Sequence, residues 1–154
     1  MNWDIINDDV VDWANKYTGP KFHALLTDPP YELGFMGKHW DKSGVSFDPK
    51  TWKDLACHLL PGAMLLSFGA CRNYHRLACA IEDAGLEIRD SLIVWLNGQS
   101  FPKSLNLAKA IEASGASCDN KTLAGYGTAI KSSYEPVVMA RKPLEGTEIG
   151  RAHV

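Results

Sequence analysis

The sequence predicts a layered α/β fold with a largely parallel sheet. Strand-like and helix-like segments alternate along its 154 residues. The helix-like segments carry apolar residues at i, i+3, i+4 and i+7, and the short apolar runs between them are bounded by glycine or proline. Such alternation is typical of strands joined by crossover helices. The length is that of a single domain.

The first two elements lead to an unusual tetrapeptide. A helix is predicted from Asp8 to Tyr17, where apolar residues share one face and Gly19-Pro20 stops the pattern. A strand from His23 to Thr27 follows and ends in Asp28-Pro29-Pro30-Tyr31. Proline has no N–H and restricts the residue before it, so these four residues neither continue a central strand nor begin a helix. They are predicted to form a rigid, extended strand exit.

The remaining elements follow from the same criteria. A helix begins with Asp48 as its N-cap and Pro49 in its first position, and its apolar spacing runs through Leu60 to a stop at Pro61-Gly62. Five further elements are predicted, namely a strand over 63–68, a helix over 74–81 closed by Gly85, a strand over 88–96, a helix over 105–113 stopped by Gly115, and a strand over 137–140.

Composition and charge exclude several classes of protein. With 45% hydrophobic and 22% charged residues the chain is not disordered. No apolar run approaches the ~18 residues of a membrane helix, and the start lacks a signal-peptide pattern, so we expect a cytoplasmic protein without a membrane partner. The formal net charge of −2 indicates no polybasic surface. Four cysteines without Cys-x-x-Cys spacing indicate reduced, mostly buried thiols and no metal site: Cys57, Cys71, Cys79 and Cys118.

The strand exit carries the chemistry. In open α/β sheets ligands bind at the carboxyl ends of strands, where Asp28 would project a carboxylate and Tyr31 an aromatic ring. An exocyclic amine on a nucleobase is a poor nucleophile, because its lone pair is conjugated into the ring. A carboxylate from Asp28 and a carbonyl from Pro29 that accept its hydrogens would favour a pyramidal nitrogen. Tyr31 can stack on the base, as aromatic side chains do with bases taken out of a helix.

The segment Thr27-Asp28-Pro29-Pro30-Tyr31 resembles the catalytic motif of S-adenosylmethionine-dependent amino-methyltransferases that act on DNA. The resemblance implies a partial Rossmann-like methyltransferase fold with three α/β/α layers. It implies that Asp28, Pro29, Pro30 and Tyr31 are catalytic, that S-adenosylmethionine is the methyl donor, that DNA is the partner, and that no metal is required. Aspartate in the first motif position is more typical of adenine N6 enzymes than of cytosine N4 enzymes.

Flanking segments resemble the same family, so residues 1–144 are interpreted as the catalytic-motif half of a methyltransferase domain. The similar segments are 3–8, 60–68 and 134–142. The last of these resembles a family segment that lines the target-base pocket, which implies that Glu135 and Pro136 bind substrate. The loop after the motif is rich in glycine and aromatic residues, and four of its side chains are candidates for a flap over the base: Phe35, Lys38, His39 and Trp40.

The resemblance also exposes a gap. Family members bind the cofactor through a Phe-x-Gly-x-Gly-type loop, whose glycines let the backbone approach the ligand. Gly125-Tyr126-Gly127 and Phe68-Gly69-Ala70 are only weak candidates, so the cofactor residues stay unassigned. Residues 145–154 are interpreted as a tail, and 148–154 match the in-frame translation of a widely used sequencing adapter. We therefore expect a truncated chain that lacks the cofactor-binding half and is inactive alone.

Other acceptors remain open. Related motifs serve enzymes that methylate a protein amide or a base in RNA, and a non-catalytic remnant of a methyltransferase is a further alternative. The recognition sequence, the oligomeric state and the existence of a restriction partner do not follow from the sequence.

Overall fold

A computed structural model describes residues 3–34, 39–90, 93–98, 106–115, 125–127 and 132–145. The chain divides into two compact units, Met1–Val94 with Pro136–Val154, and Trp95–Glu135. The helices are α1 (Val10–Lys16), α2 (Pro49–Ala56), α3 (Tyr74–Asp83) and α4 (Leu107–Ser114). The strands are β1 (Phe22–Thr27), β2 (Leu59–Phe68), β3 (Glu87–Ile88), β4 (Ile93–Leu96) and β5 (Tyr134–Arg141). Two 3₁₀ turns span His39–Lys42 and Val45–Phe47.

Helix α1 and strand β1 form where the sequence predicts them. The Asp9 carboxylate caps α1 by accepting from the backbone N–H groups of Val11 and Asp12. The helix then stops before Tyr17, whose hydroxyl donates to the Pro20 carbonyl over 2.8 Å. This hydrogen bond fixes the turn into β1, at the end of the strand opposite to the Asp28-Pro29-Pro30-Tyr31 exit.

Helix α2 begins as predicted but ends earlier. The Asp48 carboxylate accepts from the backbone N–H of Lys50, and Pro49 is the first helical residue. The predicted continuation to Leu60 is wrong, because α2 ends at Ala56 and β2 already begins at Leu59. Leu59 is fully buried in the strand, so its apolar side chain satisfied the helical spacing without belonging to the helix.

Pro61 and Gly62 lie inside β2 and do not separate a helix from a strand. The register between β1 and β2 shifts between Phe22 and Ala24, which is where the extra residues of β2 are accommodated. Gly62 has a φ of +81°, and an added Cβ would lie 2.7 Å from a side-chain carbon of Leu144. Glycine is therefore required there both for backbone conformation and for space.

The later elements agree with the sequence in kind and differ in extent. Helix α3 is followed by Gly85 at a φ of +90°, and α4 by Gly115 at +73°, as their glycine stops predict. The single strand predicted over 88–96 is instead two strands, β3 and β4. In the second unit α4 is capped by the Asn106 side chain, which accepts from the Lys109 N–H.

The sheet is mixed, with the order β1-β2-β5-β3, and β4 also pairs with β5. Strands β1 and β2 pair in parallel, whereas β5 runs antiparallel to both β2 and β3. Strands β1, β2 and β3 thus point the same way, as expected of a largely parallel sheet. The exception to the expected parallel sheet is β5, which lies between β2 and β3 and runs antiparallel to both.

One face of the sheet forms the core of the first unit. Leu65 of β2 and its partner Ala140 of β5 are both 0% exposed, and they pack with buried residues of α1, α2 and α3 such as Trp52 and Ile81. In the described part of this unit the helices contact one another, α1 with α2 and α2 with α3, so they form one layer. The second helical layer of the expected α/β/α arrangement is not seen there.

The opposite face of the sheet is apolar but incompletely covered. Leu26 of β1 is 69% exposed and lies beside Leu66 of β2, which is half-buried. Phe68 and Met139 are also half-buried on this face. None of the described helices is long and apolar enough to cross a membrane.

The cysteines differ from their expected placement. Cys57 and Cys79 are exposed and Cys71 is half-buried, so the expectation of mostly buried thiols is wrong. Their chain positions fall on the outer side of a helix or in a turn, which spacing between cysteines does not reveal. Cys118 lies outside the described residues.

Candidate active site

The Asp28-Pro29-Pro30-Tyr31 segment leaves the sheet at the carboxyl end of β1, as the sequence predicts. Thr27, the last strand residue, lies opposite Ser67 of β2. The turn after β2 is joined to the start of β5, because the Gly69 N–H donates to the Pro136 carbonyl over 2.9 Å. The ends of β1 and β2 and the beginning of β5 therefore share one edge of the sheet.

Asp28 is exposed at this edge. Among the described residues, no hydrogen bond or ion pair engages its carboxylate, and none engages the Pro29 carbonyl beside it. The two groups are both acceptors and are adjacent in the chain. A donor with two hydrogens, such as an amine, is the chemistry they suit.

The next two carbonyls of the segment are occupied. The Ser46 hydroxyl donates to the Pro30 carbonyl over 2.5 Å, and the Asn73 side-chain amide donates to the Tyr31 carbonyl over 2.7 Å. Both donors come from distant parts of the chain, one before α2 and the other before α3. The segment is therefore held by side chains in addition to the stiffness of its prolines.

A left-handed residue turns the chain directly after Tyr31. Glu32 has a φ of +55°, and its carboxylate accepts from the Ser43 hydroxyl over 3.2 Å and from the Ser46 N–H over 3.5 Å. The side chain thus bridges the two ends of the loop that follows. A further backbone bond, from the Gly34 N–H to the Asp41 carbonyl over 3.0 Å, closes the same loop.

The proposed flap residues are only partly described. His39 and Trp40 lie in the 3₁₀ turn His39–Lys42 and are exposed, Trp40 to 58%. Among the described residues, no hydrogen bond or ring contact joins these two side chains to the Asp28–Tyr31 segment. Phe35 and Lys38 lie outside the described residues. A role for these four side chains over a bound base stays a prediction.

Glu135 and Pro136 are the second and third residues of β5. Pro136 is fully buried, and its carbonyl is engaged by Gly69 at the shared edge. Glu135 is half-buried. The structure therefore brings Pro136 to the edge where β1 ends, and a substrate contact of either residue stays a prediction.

Both glycine candidates for cofactor binding have structural roles among the described residues. Gly69 is buried, and an added Cβ would lie 3.0 Å from a side-chain carbon of Leu77, so packing against α3 explains its glycine. Gly125 has a φ of +87° in a turn, and Gly127 forms an isolated bridge with Asn106. These are turn and packing roles. No group of three or more His, Cys, Asp or Glu among the residues searched is arranged to hold a metal.

Sequence reasoning missed two residues of this site, Ser46 and Asn73. Ser46 is 2% exposed, and its carbonyl accepts from the indole nitrogen of Trp52 over 2.9 Å. Asn73 stands at the N-cap position of α3, but its side chain makes no capping bond. The one available signal was an asparagine before a helix, and that signal points to a cap and not to the strand exit.

Solved structures share this fold. TTHA0409 of Thermus thermophilus, provisionally assigned as a DNA modification methylase, matches with a TM-score of 0.54 and 16% identity over 94% of this chain and 56% of its own. Its S-adenosyl-L-methionine complex matches with a TM-score of 0.52 and 18% identity, over 94% and 56%. M1.HpyAVI in complex with SAM matches with a TM-score of 0.56 and 16% identity, over 91% and 53%.

These likenesses show the fold. The chain has the α/β fold of these proteins and spans about half the length of each. No protein-family model matches the sequence, and a search of curated proteins also finds no match.

Proposed function

We propose that the chain is the catalytic-motif half of an S-adenosylmethionine-dependent DNA methyltransferase that acts on the exocyclic amine of a flipped base, N6 of adenine. The observation that carries the proposal is which hydrogen-bond acceptors at the end of β1 are already engaged and which are not. The Asp28 carboxylate and the Pro29 carbonyl face no donor among the described residues, whereas the Pro30 and Tyr31 carbonyls are both engaged. The structural neighbours support the same reaction class.

The acceptors act on the amine. An exocyclic amino group has two hydrogens, one for the Asp28 carboxylate and one for the Pro29 carbonyl. Accepting both favours a pyramidal nitrogen, whose lone pair is then available as a nucleophile. Asp28 orients the amine, and the proton lost after methylation goes to water or to this carboxylate.

Tyr31 supplies the surface for the base. Its ring follows the two prolines directly, so its backbone position is fixed relative to Asp28 and Pro29. A base taken out of the helix can stack on the aromatic face of Tyr31 while its amine reaches Asp28, three residues earlier in the chain. Holding the amine and the ring together converts the methyl transfer into a reaction between aligned groups, and this alignment would supply much of the acceleration.

In S-adenosylmethionine the transferable methyl group is bonded to a positively charged sulfonium sulfur. When the methyl group is transferred, the rest of the cofactor is the leaving group and its sulfur becomes a neutral thioether. We assign its binding to the part of the neighbours' fold that this chain does not span, since the glycines described here have packing and turn roles. The chain alone is then expected to transfer no methyl group, and DNA is expected to be the acceptor for the whole enzyme.

Base binding by the chain itself tests the proposal directly. The recombinant chain is titrated with 2′-deoxyadenosine and with thymidine, which lacks an exocyclic amine, and binding is followed by NMR. We expect saturable shifts at Asp28 and Tyr31 with deoxyadenosine alone, and their loss in Asp28→Ala. Equal shifts with both nucleosides would contradict recognition of an amine.

Methyl transfer tests the reaction. Labelled S-adenosylmethionine and unmethylated DNA are incubated with the chain and with any longer product that contains residues 1–144. We expect N6-methyldeoxyadenosine from the longer product only, and none from its Asp28→Ala variant. Labelled RNA or protein in place of DNA would instead support the alternative acceptors, and no transfer by the longer product would indicate a non-catalytic remnant.

A further inference from the structure

Two side chains hold the carbonyls that the proposed reaction does not use. Ser46 lies 16 residues from Pro30, and Asn73 lies 42 residues from Tyr31, yet each donates a hydrogen bond to the carbonyl of that residue. Each of these two consecutive carbonyls thereby already accepts one hydrogen bond. The Asp28 carboxylate and the Pro29 carbonyl accept none from the described residues.

Ser46 is itself rigidly held. It is 2% exposed, in the 3₁₀ turn Val45–Phe47, and its carbonyl accepts from the indole nitrogen of Trp52 over 2.9 Å. Trp52 is 1% exposed in α2 and belongs to the core. A chain of contacts therefore runs from the core through Trp52 and Ser46 to the Pro30 carbonyl.

Asn73 makes its contact in place of an ordinary local one. Asparagine before a helix usually accepts from the N–H of the second or third helical residue, which stabilises the helix by about 1 kcal/mol. The Asn73 side chain makes no such bond with α3 and reaches the Tyr31 carbonyl over 2.7 Å. Its backbone is fixed by a hydrogen bond from the Asn73 N–H to the Ala70 carbonyl over 3.1 Å.

We propose that Ser46 and Asn73 are positioning residues, which fix the Pro30 and Tyr31 carbonyls so that the Asp28 carboxylate, the Pro29 carbonyl and the Tyr31 ring keep one geometry toward the amine. The inference rests on the proposed function for its purpose. Its physical content is local, because a displacement of about 1 Å in such a group costs on the order of a hundredfold in rate. Neither residue contacts the base in this scheme.

The first experiment measures the segment in the free chain, without any ligand. Backbone ¹⁵N relaxation at Asp28 and Tyr31 is compared in the wild type, Ser46→Ala, Asn73→Asp and the control Ser114→Ala, which removes a hydroxyl that donates to the Ile111 carbonyl within α4 and to no carbonyl of the segment. We expect order parameters of about 0.85 in the wild type and control, and values below about 0.6 in the other two. Unchanged order parameters in Ser46→Ala and Asn73→Asp would overturn the proposal.

Asn73→Asp separates positioning from stability. Aspartate cannot donate to a carbonyl, but it is a favourable N-cap, so the variant should keep the thermal midpoint of the wild type while the Tyr31 segment loosens. This variant also decides the matter if Ser46→Ala fails to fold. Ser46→Thr keeps the hydroxyl, so this variant is expected to keep the segment as rigid as in the wild type.

The second experiment adds 2′-deoxyadenosine. We expect Ser46→Ala and Asn73→Asp to weaken its binding about tenfold, and Ser46→Thr and Ser114→Ala to bind within about twofold of the wild type. Wild-type affinity in both loosened variants would overturn the positioning role. Absence of binding by the wild type would count against the proposed function alone, since the relaxation comparison still decides whether these residues hold the segment.

Discussion

Glu87 and Arg141 face each other across the antiparallel ladder between β3 and β5, and two nitrogens of the guanidinium donate to one carboxylate oxygen. Nε lies 3.0 Å and Nη2 lies 2.5 Å from Oε2 of Glu87. Both side chains are about one-third exposed, at 36% and 28%. The pair ties the short strand β3 to β5, which itself pairs with β2, and so helps to fix the strand order at this side of the sheet.

Replacing Glu87 by glutamine tests how much the ion pairs of this carboxylate contribute, with Arg141 and, over 3.9 Å, with Arg89. The amide keeps the size of the side chain and removes its charge, so we expect a loss of about 0.5–1 kcal/mol in the free energy of unfolding. Urea unfolding at low and high salt measures it, and the difference should shrink at high salt. Glu82→Gln, on the exposed side of α3, is the control. An equal effect in both variants would contradict the role of the pair.

The two faces of the sheet predict different costs for the same substitution. Leu65 is 0% exposed in the core, whereas Leu26 is 69% exposed on the other face. We expect Leu65→Ala to cost about 2–5 kcal/mol and Leu26→Ala less than about 0.5 kcal/mol in the free energy of unfolding. Urea denaturation followed by circular dichroism measures both. A cost for Leu26→Ala close to that of Leu65→Ala would show that its face is covered.

The ion pair between Lys50 and Asp54 on α2 gives a pH-dependent prediction. A hydrogen bond to Asp54 and the charge of that carboxylate raise the pKa of Lys50 above its ordinary value of 10.5. Because the pKa is higher in the folded state, the stabilisation is fully present below about pH 10.5 and is lost as the pH rises through the folded-state pKa. Lys50→Met should therefore lower the thermal midpoint slightly at pH 8, and the difference should vanish at more alkaline pH. A difference that stays constant with pH would contradict this.

Much of the fold follows from local signals in the sequence. The start of α2 at Asp48 and Pro49 needs only the side chain of the cap and the fixed φ of proline, and the ends of α3 and α4 need only glycines in the left-handed region. The strand exit at Asp28 is equally local, because two consecutive prolines restrict the backbone whatever surrounds them.

What the sequence did not reveal depends on partners far along the chain. Pro61 and Gly62 indicate a break between elements, but β2 runs through them, because it pairs with β1 at Leu59 before them and again from Met64 after them. The direction of β5 is set by ladders to β2 and β3, which have no local signature. Ser46 and Asn73 reach the strand exit through single side-chain bonds, and a single bond leaves no periodicity to detect.

The Tyr31 ring yields the sharpest prediction about the site, because stacking and hydrogen bonding by this side chain can be separated. Stacking of a base on an aromatic side chain is worth about 1–3 kcal/mol, so Tyr31→Ala should weaken binding of 2′-deoxyadenosine roughly 5- to 150-fold. Tyr31→Phe keeps the ring and should bind within about twofold of the wild type. Phe22→Ala, which removes a ring 38% exposed at the first residue of β1, the end of that strand opposite to Asp28, serves as the control and should leave binding unchanged. If Tyr31→Phe loses as much affinity as Tyr31→Ala, the hydroxyl and not the aromatic face holds the base, and the stacking role assigned to Tyr31 is wrong.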